Sequence, residues 1–348
     1  MSTRREFLAG VSAGLAAGLV GCAGPRGGGG SSVARPTAAS AESLTIAGGL
    51  SGRRLRIPDV NAAPMPAIAP PGVIHDGKAI GSFGIDPARG YPDVRSSRRK
   101  FGLLVPATNT SMEHELWSII FGNQGTHALD GVGLHTSNVS TPRPQLDTES
   151  DLLAYKRQFV GGLKAAVEQA LLAQPQYLIM GMSLEHIIRG IDEIRAVMAD
   201  AESWSGVSWA TWHDAAPAAL NKFGAKRIGL LTPFDRVGNE NAAQMFRDLG
   251  FDVVASLGFA CANAVHIAHV PDSAKEQAIV EVLATRENRL DAIVQCGTNM
   301  SLAQVSERLE PVVGIPILGI NAVTFWYALR ENGFDGSLRG AGRLLREL

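Results

Sequence analysis

The stretch RKFGLLVP at Arg99–Pro106 recurs in the second half of the chain as KRIGLLTP at residues 226–233. In each copy a basic pair precedes a short apolar run that contains glycine, and a proline ends the run. Continuous apolar runs of this kind are typical of strands that are buried on both faces of a parallel sheet. The recurrence indicates an internal duplication and therefore two similar halves.

Short apolar runs alternate with longer amphipathic stretches from about residue 98 onward, which favours an α/β fold with mainly parallel sheets. We predict lobe 1 at residues 98–210, lobe 2 at residues 211–320, and a C-terminal segment at residues 321–348 that packs back on lobe 1. The pattern also predicts helices over residues 185–199 and 273–285.

The N-terminus has the features of an export signal. Arg4 and Arg5 precede an apolar stretch without charges at residues 8–20, which is typical of the twin-arginine route. The end of this stretch, LVGC, resembles a bacterial lipobox, which implies that Cys22 is lipidated; the alternative is an ordinary signal peptide with a chance cysteine. We predict a signal at residues 1–22, a Gly/Pro/Ala-rich tether at residues 23–97, and a periplasmic, lipid-anchored protein. Whether parts of the tether dock on the domain is left open.

Composition excludes several classes of function. The formal net charge is -1 in 348 residues, and no basic block interleaved with aromatic residues follows the N-terminus, so nucleic acid is not an expected partner. Three cysteines are too few for a disulfide-stapled scaffold. Phosphate-binding, dinucleotide-binding and serine-hydrolase motifs are absent, and no zinc pattern surrounds His266 and His269. We therefore predict no cofactor and no metal.

Cys296 is the strongest catalytic candidate. It follows a predicted strand at residues 292–295 and precedes Gly297 and Thr298, whose backbone N–H groups could hold an anion. The alternative is a buried core cysteine, which is what most free cysteines are. In parallel sheets ligands bind beyond the carboxyl ends of the strands, so other strand-end residues should converge on the same cleft. These predicted substrate-binding residues are Thr108, Asn109, Met182, Ser183, Phe234, Gly297 and Thr298.

Four motifs carry a family resemblance: GLLVPATNTSME at residues 102–113, MGMSL at 180–184, CGTN at 296–299 and INAVTFW at 320–326. They resemble the maleate cis-trans isomerases and arylmalonate decarboxylases of the aspartate/glutamate racemase superfamily. The resemblance covers about residues 99 to 345 in unbroken order. It implies two pseudo-symmetric Rossmann-like lobes with parallel sheets and an active site between the lobes.

The resemblance also implies a mechanism. Racemases and maleate isomerases have one cysteine on each lobe; here the second aligns with Cys296, whereas the first falls at Gly181. A lone thiol protonates only one face of a carbon. The arrangement resembles that of arylmalonate decarboxylase, which implies a cofactor-independent decarboxylase of a substituted malonate-like acid. In that reaction an enediolate forms and Cys296 protonates it.

By the same resemblance, Ser183, Gly297, Thr108 and Asn109 bind a substrate carboxylate. Met182 stands where the decarboxylases have a threonine and Phe234 where both enzymes have a tyrosine, which implies a less polar pocket.

Two other functions remain open at this point. Asn109 matches an isomerase element that contacts a substrate carboxylate, which favours a maleate isomerase or racemase. The lost hydroxyl donors and the lipid signal favour a periplasmic lipoprotein that binds a carboxylate without turnover. The expected partner is in each case a small carboxylic acid, with membrane contact only through the lipid at Cys22; the oligomeric state is not indicated.

Overall fold

The computed structural model describes residues 43–58, 73–76, 78–81, 93–140 and 149–348, so the predicted signal and Cys22 lie outside it. Two antiparallel hairpins precede the lobes. They consist of β1 (Ser43–Ala47) with β2 (Arg54–Pro58), and β3 (Val73–His75) with β4 (Lys78–Gly81). The segment that was predicted to be a tether therefore contains regular structure.

Lobe 1 is built on a four-stranded parallel sheet with the strand order β6-β5-β7-β8. Its central strands are continuous apolar runs and are buried, as expected for a sheet that is covered on both faces. Its elements are β5 (Arg99–Pro106), α1 (Met112–Gly122), β6 (Val132–Val139), α2 (Glu149–Leu171), β7 (Tyr177–Met180), α3 (Ile191–Ser205) and β8 (Trp209–Ala210).

Lobe 2 repeats this arrangement with the parallel order β10-β9-β11-β12. The two orders are the same once β9 is matched to β5, which confirms the α/β fold with two pseudo-symmetric lobes. Its elements are α4 (Trp212–Lys222), β9 (Arg227–Thr232), α5 (Arg236–Asp248), β10 (Asp252–Gly258), α6 (Asp272–Ala278), β11 (Ala292–Gln295), α7 (Ala303–Val313) and β12 (Ile317–Gly319).

The equivalence of the lobes extends to single hydrogen bonds. In lobe 1 Met180 is paired with Leu104, and the N–H of Gly181 donates to the Leu104 carbonyl at 2.7 Å. In lobe 2 Gln295 is paired with Leu231, and the N–H of Cys296 donates to the Leu231 carbonyl at 3.0 Å. Gly181 and Cys296 therefore occupy the same position in the two halves.

The chain ends with α8 (Ile320–Glu331) and the short α9 (Arg343–Glu347). Every residue of α8 is buried, and the helix contacts α1, β7 and β8 of lobe 1 as well as β12 of lobe 2. A helix that is apolar all round is typical of the centre of a large core. Helix α8 therefore joins the two lobes in one core.

The β1–β2 hairpin docks on lobe 1, which answers the question that the sequence left open. Leu55 and Ile57 are buried in the main core, at 0% and 3% exposure. The Glu331 carboxylate accepts hydrogen bonds from the backbone N–H groups of Leu50 and Ser51 and from the Ser51 hydroxyl, at 2.6 to 3.2 Å. The hairpin also contacts the edge of the sheet, because Ser208, next to β8, donates its N–H to the Arg56 carbonyl.

Two predicted helices are present, but their bounds or their helix type differ from the prediction. The helix that was predicted over residues 185–199 begins at Ile191, because Gly190 has φ +90° and ends the preceding turn. Residues 185–190 therefore form a loop. The helix that was predicted over residues 273–285 ends at Ala278 and is followed by one π-helical turn, Ile279–Leu283.

Candidate active site

The ends of β7 and β11 meet across the lobe boundary. The Ser183 hydroxyl oxygen accepts a hydrogen bond from the N–H of Gly297 at 2.9 Å, and the Thr298 hydroxyl donates to the Gly181 carbonyl at 2.9 Å. Ser183 and Thr298 are 6% and 4% exposed. The structure thus brings the two predicted strand ends into direct contact, and their donors and acceptors are bonded to each other.

Asn109 and Thr108 reach the same place from the end of β5. The Asn109 amide nitrogen donates to the Thr298 hydroxyl at 2.9 Å, while its side-chain oxygen accepts from the N–H groups of Ser111 and Met112 at the start of α1. Such bonds satisfy N–H groups that have no partner within the helix. Thr108 contributes its carbonyl, which accepts from the Asn299 amide at 3.1 Å. Asn109 therefore both caps α1 and joins the lobes.

The Cys296 thiol is completely buried, at 0% exposure. The indole N–H of Trp212 donates to its sulfur at 3.3 Å, and the Trp212 ring packs edge-on against Phe246. Trp212 is the first residue of α4. The preceding Thr211 caps the helix, because its hydroxyl accepts from the N–H of Asp214 at 3.3 Å and donates to the Asp214 carboxylate at 2.8 Å.

Glu185 is the second partner of the thiol, and the sequence prediction missed it. Its carboxyl group is 1% exposed, and it lies close enough to the Cys296 thiol and the Ser183 hydroxyl to interact with both. One carboxyl oxygen, Oε1, has no hydrogen-bond partner among the described residues. Burying a carboxyl group with an unsatisfied oxygen costs folding free energy. Such a group next to a thiol therefore indicates a functional site.

Both groups favour their protonated forms. Burial raises the pKa of Glu185 from 4.5 to about 7, although the hydrogen bonds from Cys296 and Ser183 oppose this shift. Burial, and then the negative charge of Glu185, raise the pKa of Cys296 well above its usual range, against the effect of the Trp212 N–H. Near pH 7 the thiol therefore carries its proton, which suits an acid better than a nucleophile.

Apolar and uncharged groups also follow the strand ends. Met182 is 3% exposed and Phe234 is 9% exposed. Phe234 stacks on His186 with 4.7 Å between the ring centroids and 15° between the planes. His186 Nδ1 donates to the Ser183 carbonyl at 2.5 Å. Burial lowers the pKa of His186 to about 4, so the imidazole is neutral at pH 7.

The position equivalent to Cys296 in lobe 1 has no room for a side chain. A Cβ on Gly181 would lie 2.6 Å from the Leu104 carbonyl oxygen, 2.6 Å from Val105 Cγ1 and 3.0 Å from Met112 Sδ. The Leu104 oxygen belongs to the backbone of β5 and is fixed by the sheet. The first lobe is therefore closed to a second thiol at this position.

A second buried carboxylate joins the lobes without touching the thiol. Glu115 on α1 accepts from the N–H groups of Leu302 and Ala303, at the start of α7, at 2.9 and 2.7 Å. Its other oxygen accepts from the Asn321 amide, which also donates to the Thr298 carbonyl. Acidic residues in a first turn commonly stabilise the N-terminus of their own helix. Glu115 instead binds the N-terminus of a helix in lobe 2.

The thiol is not open to solvent in this structure, although a cleft lies beside one of the candidate residues. The candidate residue Asn109 borders an open cleft of about 490 Å³. The other residues that line this cleft are Thr110, Glu113, His114, Trp117 and Phe121. Cys296 has no exposed surface, so a substrate that enters from solvent must displace groups that bury the thiol.

The part of the chain that the structure describes contains no cluster of three or more His, Cys, Asp or Glu side chains that could hold a metal ion. His266 and His269 lie in a short 3₁₀ helix with 5.8 Å between their ring centroids. In the same described part, no helix is long and apolar enough to span a membrane.

Two parallel-sheet lobes meet at equivalent strand ends, one with a thiol at Cys296 and one with a glycine at Gly181. Comparison with protein families identifies the class of protein that has this fold. A family model described as arylmalonate decarboxylase matches residues 164–345, which is more than half of the chain. The chain belongs to the arylmalonate decarboxylase family, whose members are enzymes.

Individual relatives include isomerases as well as decarboxylases. The chain is 24% identical over 264 residues to the maleate isomerase of Nocardia farcinica, covering 72% of this chain and 96% of that protein. A solved variant of that isomerase with a covalently bound succinylcysteine intermediate has a TM-score of 0.59 at 21% identity, covering 72% and 99% of the two chains. An arylmalonate decarboxylase has a TM-score of 0.54 at 16% identity, covering 71% and 98%. These structures share the fold of this chain.

Proposed function

We propose that this protein is a cofactor-independent decarboxylase of a substituted malonate-like acid. The observation that carries the proposal is the single thiol: Cys296 stands opposite Gly181, where a Cβ would lie 2.6 Å from the Leu104 backbone oxygen. Reactions that need acid or base groups on both faces of one carbon need two such groups. A reaction that needs one proton on one face needs only Cys296.

The proposed reaction uses the groups that hold the closed lobes together. When the lobes open, the N–H of Gly297 and the hydroxyls of Ser183 and Thr298 become free to bind one substrate carboxylate. The bond between the substituted carbon and the second carboxylate then breaks, CO₂ leaves, and the electron pair passes into an enediolate that these donors stabilise. The S–H group of Cys296 gives its proton to the carbon.

Met182 and Phe234 shape the choice of substrate. Beside an apolar wall the leaving carboxylate is poorly solvated, which favours its departure as neutral CO₂. Each hydroxyl donor that the relatives have and this chain lacks would contribute about 1.5–3 kcal/mol to the binding of an anion. We therefore propose a bulkier or less charged substrate than the relatives use.

A maleate cis-trans isomerase is the second candidate. It is favoured by the Nocardia farcinica relative, which this chain matches over nearly its whole length. In such a reaction the Cys296 sulfur would add to the substrate double bond, the carbon–carbon bond would rotate, and the thiolate would leave. The raised pKa of Cys296 argues against this step, because the thiolate is the nucleophile.

A turnover screen with the purified protein separates these functions. Substituted malonates, maleate and amino acids are incubated with the unaltered chain, Cys296→Ala and Cys261→Ala. We expect CO₂ release from a malonate, a loss of about 10²- to 10⁴-fold in Cys296→Ala, and little change in Cys261→Ala. Full turnover by Cys296→Ala would contradict the proposal. Interconversion of maleate and fumarate would identify an isomerase. Binding of a carboxylic acid in calorimetry, with no product formed, would identify a carboxylate-binding protein.

We also propose that the chain is exported by the twin-arginine route and lipidated at Cys22, on the strength of the signal alone. Cys22→Ser should move the protein from the membrane fraction to the soluble periplasmic fraction. Retention in the membrane fraction would count against the lipid anchor. Lysine in place of Arg4 and Arg5 should keep the protein in the cytoplasm, and normal export of that variant would count against the route.

A further inference from the structure

The Glu185 carboxyl is a buried group that the proposed reaction does not yet use. Its oxygens lie beside the Cys296 thiol and the Ser183 hydroxyl, and Oε1 has no hydrogen-bond partner among the described residues. It lies in the loop between β7 and α3, which is held by hydrogen bonds from the N–H groups of Ile187 and Ile188 to the Leu184 carbonyl. The loop thus places a carboxyl at the lobe boundary.

No structural partner accounts for a carboxyl at this place. The groups that act on Glu185 within the described chain are Cys296, Ser183 and its own backbone N–H, and no cation is among them. The neighbouring His186 is turned away, since its ring donates to the Ser183 carbonyl and stacks on Phe234. Two side chains among the described residues act on the thiol, Glu185 and Trp212. Because the indole of Trp212 does not titrate, Glu185 is the titratable one of the two.

We propose that Glu185 returns a proton to Cys296 after each turnover, a role that rests on the proposed function. When the thiol has protonated the carbon of the enediolate, it is a thiolate. The O–H of the Glu185 carboxylic acid then gives its proton to the sulfur, and Glu185 becomes a carboxylate. Water that enters as the lobes open to release the product protonates this carboxylate again. One proton from water is consumed for each CO₂ that is released.

Charge supports this order of steps. A thiolate and a carboxylate in contact in a buried site repel each other, so one proton shared between the two groups is favoured over none. Burial brings the pKa of Glu185 to about 7, so both the acid and the carboxylate are accessible near neutral pH. The supply of protonated Glu185 should therefore fall as the pH rises through 7.

The role predicts a separation between the first turnover and the following ones. In Glu185→Gln the Cys296 proton is still present, so the single-turnover rate should stay within about threefold of the unaltered protein. Steady-state turnover should fall by about 10²-fold, because the thiolate must be protonated by water. Rapid-mixing measurement should then show a burst of one product per enzyme molecule.

The pH profile provides the second measurement. In the unaltered protein kcat should decrease above about pH 7, as Glu185 loses its proton. Glu185→Gln should lose this inflection and Glu185→Asp should keep one. Glu310→Gln is the matched control, because Glu310 is also buried, at 2% exposure, but binds the N–H groups of Ile317 and Arg343. This control should leave the inflection in place.

The possible failures are distinguishable. If the unaltered chain releases no CO₂ from any malonate, the proposed function is wrong and the role of Glu185 falls with it. If the unaltered chain is active but Glu185→Gln keeps the inflection, or loses single-turnover rate as much as steady-state rate, only the role of Glu185 is wrong. If Glu185→Gln does not fold, Glu185→Asp is measured instead. A pH profile that keeps the inflection together with a lower steady-state rate supports the role. A pH profile and rates identical to those of the unaltered protein overturn it.

Discussion

The ends of β7 and β11 occupy equivalent positions in the two lobes, but their surroundings differ. After β7 the N–H of Gly181 donates to the Leu104 carbonyl, and after β11 the N–H of Cys296 donates to the Leu231 carbonyl. Beyond that bond, Gly181 is enclosed by backbone and apolar atoms, whereas the side chain of Cys296 is held between Trp212 and Glu185. The two similar lobes thus provide two equivalent strand ends. The packing around each strand end determines whether a reactive side chain fits there.

Placing a thiol in lobe 1 tests whether the packing around Gly181 excludes a side chain, and it should have the largest effect. Gly181→Cys would force its Cβ against the Leu104 carbonyl and should lower the free energy of unfolding by about 3 kcal/mol, measured in a urea titration. Gly161→Ala is the control. Gly161 lies in α2 with nothing within 4 Å of its Cβ position, and alanine there should stabilise the protein by up to about 1 kcal/mol. A Gly181→Cys protein as stable as the parent would show that the lobes differ less than we state.

The second test concerns the charge beside the thiol. The pKa of Glu185 rises from 4.5 to about 7 on folding, so the folded state binds more protons than the unfolded state between these values. Stability contributed by this group is therefore lost as the pH rises from about 4.5 to 7. Glu185→Gln removes this loss, and its stability relative to the parent should increase by about 3 kcal/mol between pH 4 and pH 8. An equal difference at both pH values would contradict the raised pKa.

The third test makes the pocket more polar. Phe234→Tyr adds the hydroxyl that the family resemblance implies at this position. If the hydroxyl reaches the substrate anion, kcat/KM for a substituted malonate should rise about tenfold, the lower end of the value of a hydrogen bond to a charged group. Phe223→Tyr adds a hydroxyl to a ring under Arg343 and should change nothing. A decrease in Phe234→Tyr would indicate that the apolar wall itself selects the substrate.

The two parallel sheets were predictable because short stretches of sequence indicate their strands. The repeat at Arg99–Pro106 and residues 226–233 predicted two parallel sheets, and both are present. The β1–β2 hairpin was not predicted, since its surroundings are rich in Gly, Pro and Ala. One contact that holds it is the bond to Glu331, about 280 residues further along the chain, and no local pattern encodes such a contact.

The site was predictable in part for the same reason. Ser183, Gly297, Thr298 and Asn109 were chosen as strand-end residues, and they lie together. Glu185 was missed because it was assigned to the first turn of a helix, where acidic residues are common. The glycine at position 190, which delays the helix, was the signal that could have corrected this. For Trp212 the signal was the spacing of Thr211 and Asp214, which marks a helix start at the end of β8.

The complete burial of Cys296 also bears on how long the thiol survives. Peroxides and disulfide reagents attack a thiolate that they can reach. Cys296 has no exposed surface, and its raised pKa keeps it protonated. Oxidation should therefore be confined to the moments when a motion of the protein exposes the sulfur. In an oxidising compartment, the burial of Cys296 would protect the thiol from such reagents.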